Sequence, residues 1–179
     1  PGYKFAYIDL EQAESRLVGA IEWNLFNDGR YLDACESGDL HTSVCRLAWS
    51  DLGWSQPVDL KLDRQIAERP FYRQHSYRHM AKVLGHGTNY SGKPYTMAKH
   101  TKLDAGLITA FQTKYFAAFP AHQRWHAHVQ SRLLTDGQLS TLTGRRRWFF
   151  GRRNDDTTVR EAIAYDPQGS VGDILNRGM

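Results

Sequence analysis

The stretch Arg78-His79-Met80-Ala81-Lys82-Val83-Leu84-Gly85-His86-Gly87-Thr88-Asn89-Tyr90 sets Arg78, Lys82, His86 and Tyr90 four residues apart. On a helix, residues i and i+4 share a face, so the four side chains form one slowly drifting stripe. Two cations followed by two rings suit a nucleoside triphosphate. The cations neutralise phosphates and the rings meet sugar and base. The plainer reading is a polar helix face in solvent. The helix is expected to run from Phe71 to about Val83. The glycine-rich run from Gly85 to Gly92 reads as a helix end or turn.

Around this stretch the chain reads as α+β, mainly helical. Lys4 to Leu10 has strand propensity through Phe5, Tyr7 and Ile8. Ala13, Leu17, Ala20 and Ile21 share a helical face that ends at Asn27-Asp28-Gly29-Arg30. Asp39 is placed to cap a helix from Leu40 to about Trp49. Residues 50–62 read as a loop, and Lys102 to Phe119 as an amphipathic helix stopped by Pro120. Residues 121–134 form another helix, closed by Asp136-Gly137. Leu139 to Phe150 reads as a hairpin turning at Thr143-Gly144. Two short helical stretches, Val159 to Ala164 and Ser170 to Asn176, are expected around Pro167.

Composition narrows the function. A chain of 179 residues suits one domain or a piece of a larger protein. Charged residues at 23% and hydrophobic residues at 41% exclude wholesale disorder. No apolar run reaches the roughly 18 residues of a membrane span, so no membrane partner is expected. Cys35 and Cys45 alone make no disulfide scaffold, which favours a reducing, cytoplasmic setting. Residues 121–160 hold eight arginines, no lysine and three acids, interleaved with Trp148, Phe149 and Phe150. Such a cluster reads as a nucleic-acid surface or as a solvated basic hairpin.

Single residues carry further chemistry. Asp9, at the end of the first strand, suits a hard cation such as Mg²⁺, or caps the next helix. His41 at a helix start suits a phosphate, or is a surface histidine. Arg160 and Gln168 flank Pro167 and could meet a nucleic-acid backbone. His122, His126 and His128 include an i, i+4 pair, but with no acid or cysteine nearby a polar helix face is the better reading than zinc. Cys35, His41 and Cys45 fit no zinc spacing. Gly85-His86-Gly87 lacks the Gly-Lys-Ser/Thr ending of a P-loop. A nuclease built on Asp9, Glu14 and His41 leaves the Arg78/Lys82/Tyr90 stripe unexplained.

Taken in order, Asp9-x-x-Gln12-x-Glu14-x-Arg16, Asp39-x-His41, Arg78-x3-Lys82-x7-Tyr90, Gly144-Arg145-Arg146 and Arg160-x7-Gln168 resemble the family A DNA polymerases, the class of bacterial DNA polymerase I and many phage replicases. The phrase from Arg160 to Gln168 is most similar to phage-type members. The resemblance implies a template-directed DNA polymerase whose partners are dNTPs and primer–template DNA. Asp9 and the Leu10 carbonyl would be metal ligands in a two-Mg²⁺ site. Gln12, Glu14, His41, Arg78, Lys82, His86 and Tyr90 would bind the nucleotide, with Glu14 bonded to Tyr90 and excluding a ribose 2′-hydroxyl. Lys82 would also protonate pyrophosphate. Arg145, Arg146, Arg160 and Gln168 would contact DNA. Palm segments are expected at 1–22 and 111–179, with fingers at 23–110. The thumb and the second catalytic aspartate are expected outside this chain, in a missing segment or a separate chain. The alternative is a non-catalytic DNA-binding fragment or subunit completed by another chain. Glu14 argues against a single-subunit RNA polymerase relative. This sequence departs from the family at His86, where Phe or Tyr is usual, and at Ser91, where Gly usually follows the tyrosine.

Overall fold

The structure, a computed structural model, describes residues 10–178. The strand expected at Lys4 to Leu10 falls, except for Leu10, outside the described residues, as does Asp9. The first helix, α1, spans Ala13–Phe26 and ends where Asn27 turns left-handed. Its fully buried face holds Val18, Gly19, Ile21 and Glu22, one position round from the expected stripe. The reason is α2, Arg30–Glu36, a helix the sequence reading did not anticipate. A methyl group on Gly19 would sit 2.8 Å from the Leu32 backbone, so glycine lets α1 and α2 cross closely.

Asp39 caps α3, Leu40–Ala48, by accepting from the His41 and Thr42 amides. Asp59 caps α4, Leu60–Ala67, in the same way, so the loop after α3 is shorter than expected. Phe71 does not start a helix. It lies in a two-stranded antiparallel hairpin of β1, Pro70–Tyr72, and β2, His75–Ser76. Helix α5 then spans Tyr77–Asn89, with the Ser76 hydroxyl accepting from the His79 amide. It runs unbroken past Gly85 and Gly87, because both pack against neighbours, Tyr115 and Met97. Tertiary packing here outweighs the low helix propensity of glycine.

The expected helix from Lys102 to Phe119 is α7, Ala105–Ala118, which starts at its Asp104 cap. A helix the reading did not anticipate, α6, Pro94–Thr101, precedes it and ends at left-handed Lys102. Helix α8, Ala121–Asp136, closes at left-handed Gly137. β3, Gln138–Ser140, pairs antiparallel with β4, Arg146–Trp148, as the hairpin reading expected. One helix, α9, Asp156–Gly178, replaces the two stretches around Pro167. Buried Ala162, Ile163, Tyr165 and Ser170 anchor α9 on both sides of the proline. Among the described residues, strands form only these two hairpins. The core gathers Tyr31, Leu84, Ile108, Tyr115, Trp125 and Leu133 between the helices.

Candidate nucleotide-binding site

Helix α5 presents Arg78, Lys82 and His86 on successive turns to a cavity of about 470 Å³. The start of α1 supplies Gln12 and Glu14, α3 supplies His41, and α9 closes one side with Val171 and Leu175. Six residues singled out in sequence thus line one space, although they come from three separate stretches of chain.

Tyr90, at the end of α5, donates its hydroxyl to Glu14 Oε2 at 2.5 Å. The two residues are 76 apart in sequence. Burial, then Glu14, pushes the Tyr90 phenol well above its usual range. Gln168 stands near enough to the Tyr90 hydroxyl to oppose that upward push. The His86 ring meets Tyr90 edge-on, with centroids 4.9 Å apart. The left-handed turn after Tyr90 is made by Ser91 itself, at φ 56°. Where the family usually has glycine, this chain therefore puts a side chain into that conformation.

Arg78 is not an unattached cation. Its Nε and Nη2 donate to the two Asp39 carboxylate oxygens at 2.8 and 3.1 Å, and Glu68 lies 3.5 Å away. Burial pushes the Asp39 carboxyl up, but hydrogen bonds from Arg78 and Thr42 outweigh it and hold it down at about 2. Asp39 therefore serves as both helix cap and counter-ion. The sequence reading assigned it only the cap. Lys82 is exposed and, among the described residues, has no carboxylate partner. Burial, with Arg78 next, lowers His41 to about 4, so its imidazole is neutral near pH 7 and can serve an anion only as an N–H donor, not as a cation. Gln12 donates to the Gly38 carbonyl at 3.3 Å, and its buried Oε1 has no partner among the described residues.

Leu10, whose carbonyl accepts from the Ala13 amide at 3.4 Å, and Glu11 line this cavity with Glu14. Oxygen donors of this kind fit Mg²⁺. Among the described residues, no group of three or more His, Cys, Asp or Glu is placed to hold a metal ion. Asp166 and Asp173 are engaged elsewhere. Asp166 accepts from the Leu142 amide, and Asp173 pairs with Arg145 at 3.0 Å and with Thr143.

The arginine cluster divides. Arg145 is committed to Asp173 and to the Gly169 carbonyl, Arg147 to Glu161, and Arg153 to the Leu134 carbonyl. Arg146 is exposed on β4. Arg160 folds back on the Asp156 carbonyl of its own helix. The structure thus brings Gln168 near the Tyr90 hydroxyl, but sets Arg145, Arg146 and Arg160 on the hairpin and the first turns of α9. The α8 histidines correct the reading of a polar surface. His122 is fully buried against Glu22 and Asn89, and His126 bonds the Asn89 carbonyl. Cys35 and Cys45 are buried free thiols, each pushed up to about 12 by burial. Asn89 and Tyr31, which also line the cavity, were missed in sequence, where nothing marks a buried polar group inside an apolar pattern.

Among the described residues, nine helices and two hairpins make up the fold, and one cleft brings cations, rings and carboxylates together. The POL domain of Pol1 from Mycobacterium smegmatis, solved in complex with DNA primer-template and dNTP, shares this fold. Its TM-score is 0.66 at 24% identity, over 90% of this chain and 26% of that one. The sequence signature of DNA polymerase family A matches residues 65–179, and the chain belongs to that family. DNA polymerase I of Aquifex aeolicus is 26% identical over 97% of this chain and 27% of its own length. The Mycobacterium tuberculosis H37Rv enzyme is 25% identical over 96% and 17%. The chain therefore spans about a quarter or less of the length of these relatives.

Proposed function

We propose that this chain carries the dNTP- and primer–template-binding part of a template-directed DNA polymerase, with fingers at residues 23–110 and palm segments at 1–22 and 111–179. The observation that carries the reading is the Glu14–Tyr90 hydrogen bond beside the Arg78/Lys82/His86 stripe on one cavity. Family membership supports it. In this reading Lys82 Nζ and Arg78 neutralise the triphosphate, and neutral His41 donates an N–H to it. Lys82 Nζ holds the proton passed to departing pyrophosphate. Glu14, fixed by Tyr90, occupies the space a ribose 2′-hydroxyl would need. His86 packs on the nucleotide beside Tyr90. Gln12 and Gln168 steady this floor, and Arg145, Arg146 and Arg160 face the DNA. Asp9 and the Leu10 carbonyl would hold Mg²⁺, which when bound offsets phosphate charge and acidifies the primer hydroxyl.

The test is nucleotide binding and primer extension by the 179-residue chain, with Mg²⁺, dNTPs and a primed DNA template. Binding of dNTP that is lost in Lys82→Ala supports the reading. Extension that also vanishes in Asp9→Ala would mean that the chain completes its own metal site. DNA binding without any dNTP binding would favour a DNA-binding fragment instead, and would overturn the nucleotide assignment.

A further inference from the structure

Behind the cavity lies a buried polar chain that the nucleotide-binding roles do not use. Glu22 of α1 and His122 of α8 are both 0% exposed, and Asn89, Tyr31 and Tyr115 are nearly so. Asn89 Nδ2 donates to the Tyr31 hydroxyl at 2.8 Å. Asn89 Oδ1 accepts from the Tyr115 hydroxyl at 2.7 Å and faces His122 Nε2 at 2.9 Å. An amide oxygen only accepts, so His122 carries its proton on Nε2. Its other nitrogen, Nδ1, lies 2.7 Å from Glu22 Oε1, and Glu22 Oε2 has no partner among the described residues.

Two proton arrangements could hold Nδ1 and Oε1 so close. An imidazolium facing a carboxylate would bury two charges and leave one anionic oxygen with no donor, which is costly. Asp28 lies near enough to Glu22 to oppose a second negative charge, and Arg30 is already paired with Asp28. The neutral arrangement avoids both costs, with Glu22 donating an O–H to a bare His122 Nδ1. Burial and Asp28 push Glu22 up to about 8, and burial lowers His122 to about 3, in line with that assignment.

We propose that Glu22 is a positioning residue for the nucleotide site, a protonated carboxyl that through His122 and Asn89 fixes the last turn of α5 and hence Tyr90. The proposal rests on the nucleotide-binding reading for its consequence, but not for its geometry. Asn89 immediately precedes Tyr90, and His126 Nε2 holds the Asn89 carbonyl at 2.7 Å. Removing the Glu22 proton sets lone pair against lone pair. The imidazole must then move, or shift its proton to Nδ1 and leave Asn89 Oδ1 without that donor. Either change loosens Asn89 and disturbs the Tyr90–Glu14 contact. The other groups facing the pair keep their charge states between pH 6.5 and 9. They are Asp28 (lowered), Arg30 (raised), Tyr31 and Cys35 (each at about 12), Tyr115 (raised well above its usual range) and His126 (at about 4).

The experiment compares wild type, Glu22→Gln and Glu22→Ala. It measures dATP affinity with Mg²⁺ and primer–template from pH 6.5 to 9, alongside ¹⁵N spectra of His122 and amide exchange at Asn89 and Tyr90. Wild type should lose about tenfold in affinity by pH 9 as the competent fraction falls. Glu22→Gln, whose amide N–H makes the same bond without titrating, should match wild type at pH 6.5 and lack that loss. Glu22→Ala should bind weakly at every pH and exchange Asn89 and Tyr90 amides faster. Should Glu22→Ala fail to fold, the comparison of wild type with Glu22→Gln still decides the matter. Identical pH profiles for those two, or a doubly protonated His122 at pH 7, would overturn the proposal. If dATP binds to none of the proteins, the nucleotide reading fails. The His122 spectra and amide exchange then still decide the relay, since unchanged exchange in Glu22→Ala would sink it.

Discussion

Tyr90 holds Glu14 at 2.5 Å, so the carboxylate can turn toward a sugar only by giving up a short, half-buried hydrogen bond. A carboxylate held in this way is a rigid wall. Replacing Glu14 with alanine should therefore raise the acceptance of ribonucleotides over deoxynucleotides by about tenfold or more, read from competition between rATP and dATP. Unchanged discrimination would remove Glu14 from that role. Asp39 supports a second expectation. Its carboxylate grips Arg78 through both oxygens, so a triphosphate must compete with it for the same guanidinium. Asp39→Asn keeps the helix cap but weakens the grip, and should tighten dNTP binding several-fold in a titration. Weaker binding would mean that the ion pair holds Arg78 in place for the phosphate. These two residues differ in how far the sequence revealed them. The Glu14–Tyr90 link was legible only through family resemblance, because nothing local joins residues 76 apart. Asp39 was legible as a cap because capping is local. Its bond to Arg78 was not, because that depends on how α3 packs against α5.

At the scale of elements, the reading succeeded where local chemistry decides and failed where packing decides. The Asp39 cap and the turns at Asn27 and Gly137 follow from residue type. The continuation of α5 through Gly85 and Gly87, and of α9 through Pro167, does not, since neighbouring helices stabilise what propensity disfavours. Ser91 shows the converse, a residue kept in a left-handed turn that suits glycine. Ser91→Gly should raise stability by about 1 kcal/mol, measured by urea unfolding. A loss would show that the serine side chain contributes more than the strain costs. The basic hairpin carries a third expectation. Arg145, Arg147 and Arg153 are already committed within the fold, so the salt dependence of DNA binding should be shallower than eight arginines would give. Arg146→Ala should lower its slope by about 1. An unchanged slope would remove Arg146 from the DNA contact.

Across the whole molecule, one buried carboxyl and three strongly lowered histidines set how stability answers pH above 4.5. Folding holds Glu22 at about 8 against an ordinary 4.5, and His122 at about 3 against 6.5. Between pH 4.5 and 8 the unfolded chain releases the Glu22 proton while the folded chain keeps it, so stability falls as pH rises. Below pH 6.5 the unfolded chain takes up protons on His122, His41 and His126 that the folded chain refuses, so stability falls as pH drops. The two slopes oppose each other between pH 4.5 and 6.5, and only the Glu22 slope remains above 6.5. Wild type should therefore lose on the order of 2 kcal/mol between pH 6.5 and pH 8, and Glu22→Gln should not. Urea unfolding at pH 5.5, 6.5 and 8.5 measures both limbs. Equal loss in the two proteins would place the alkaline limb on another group, whereas a Glu22→Gln profile that is flat above pH 6.5 would tie the alkaline loss of stability to the one proton on Glu22.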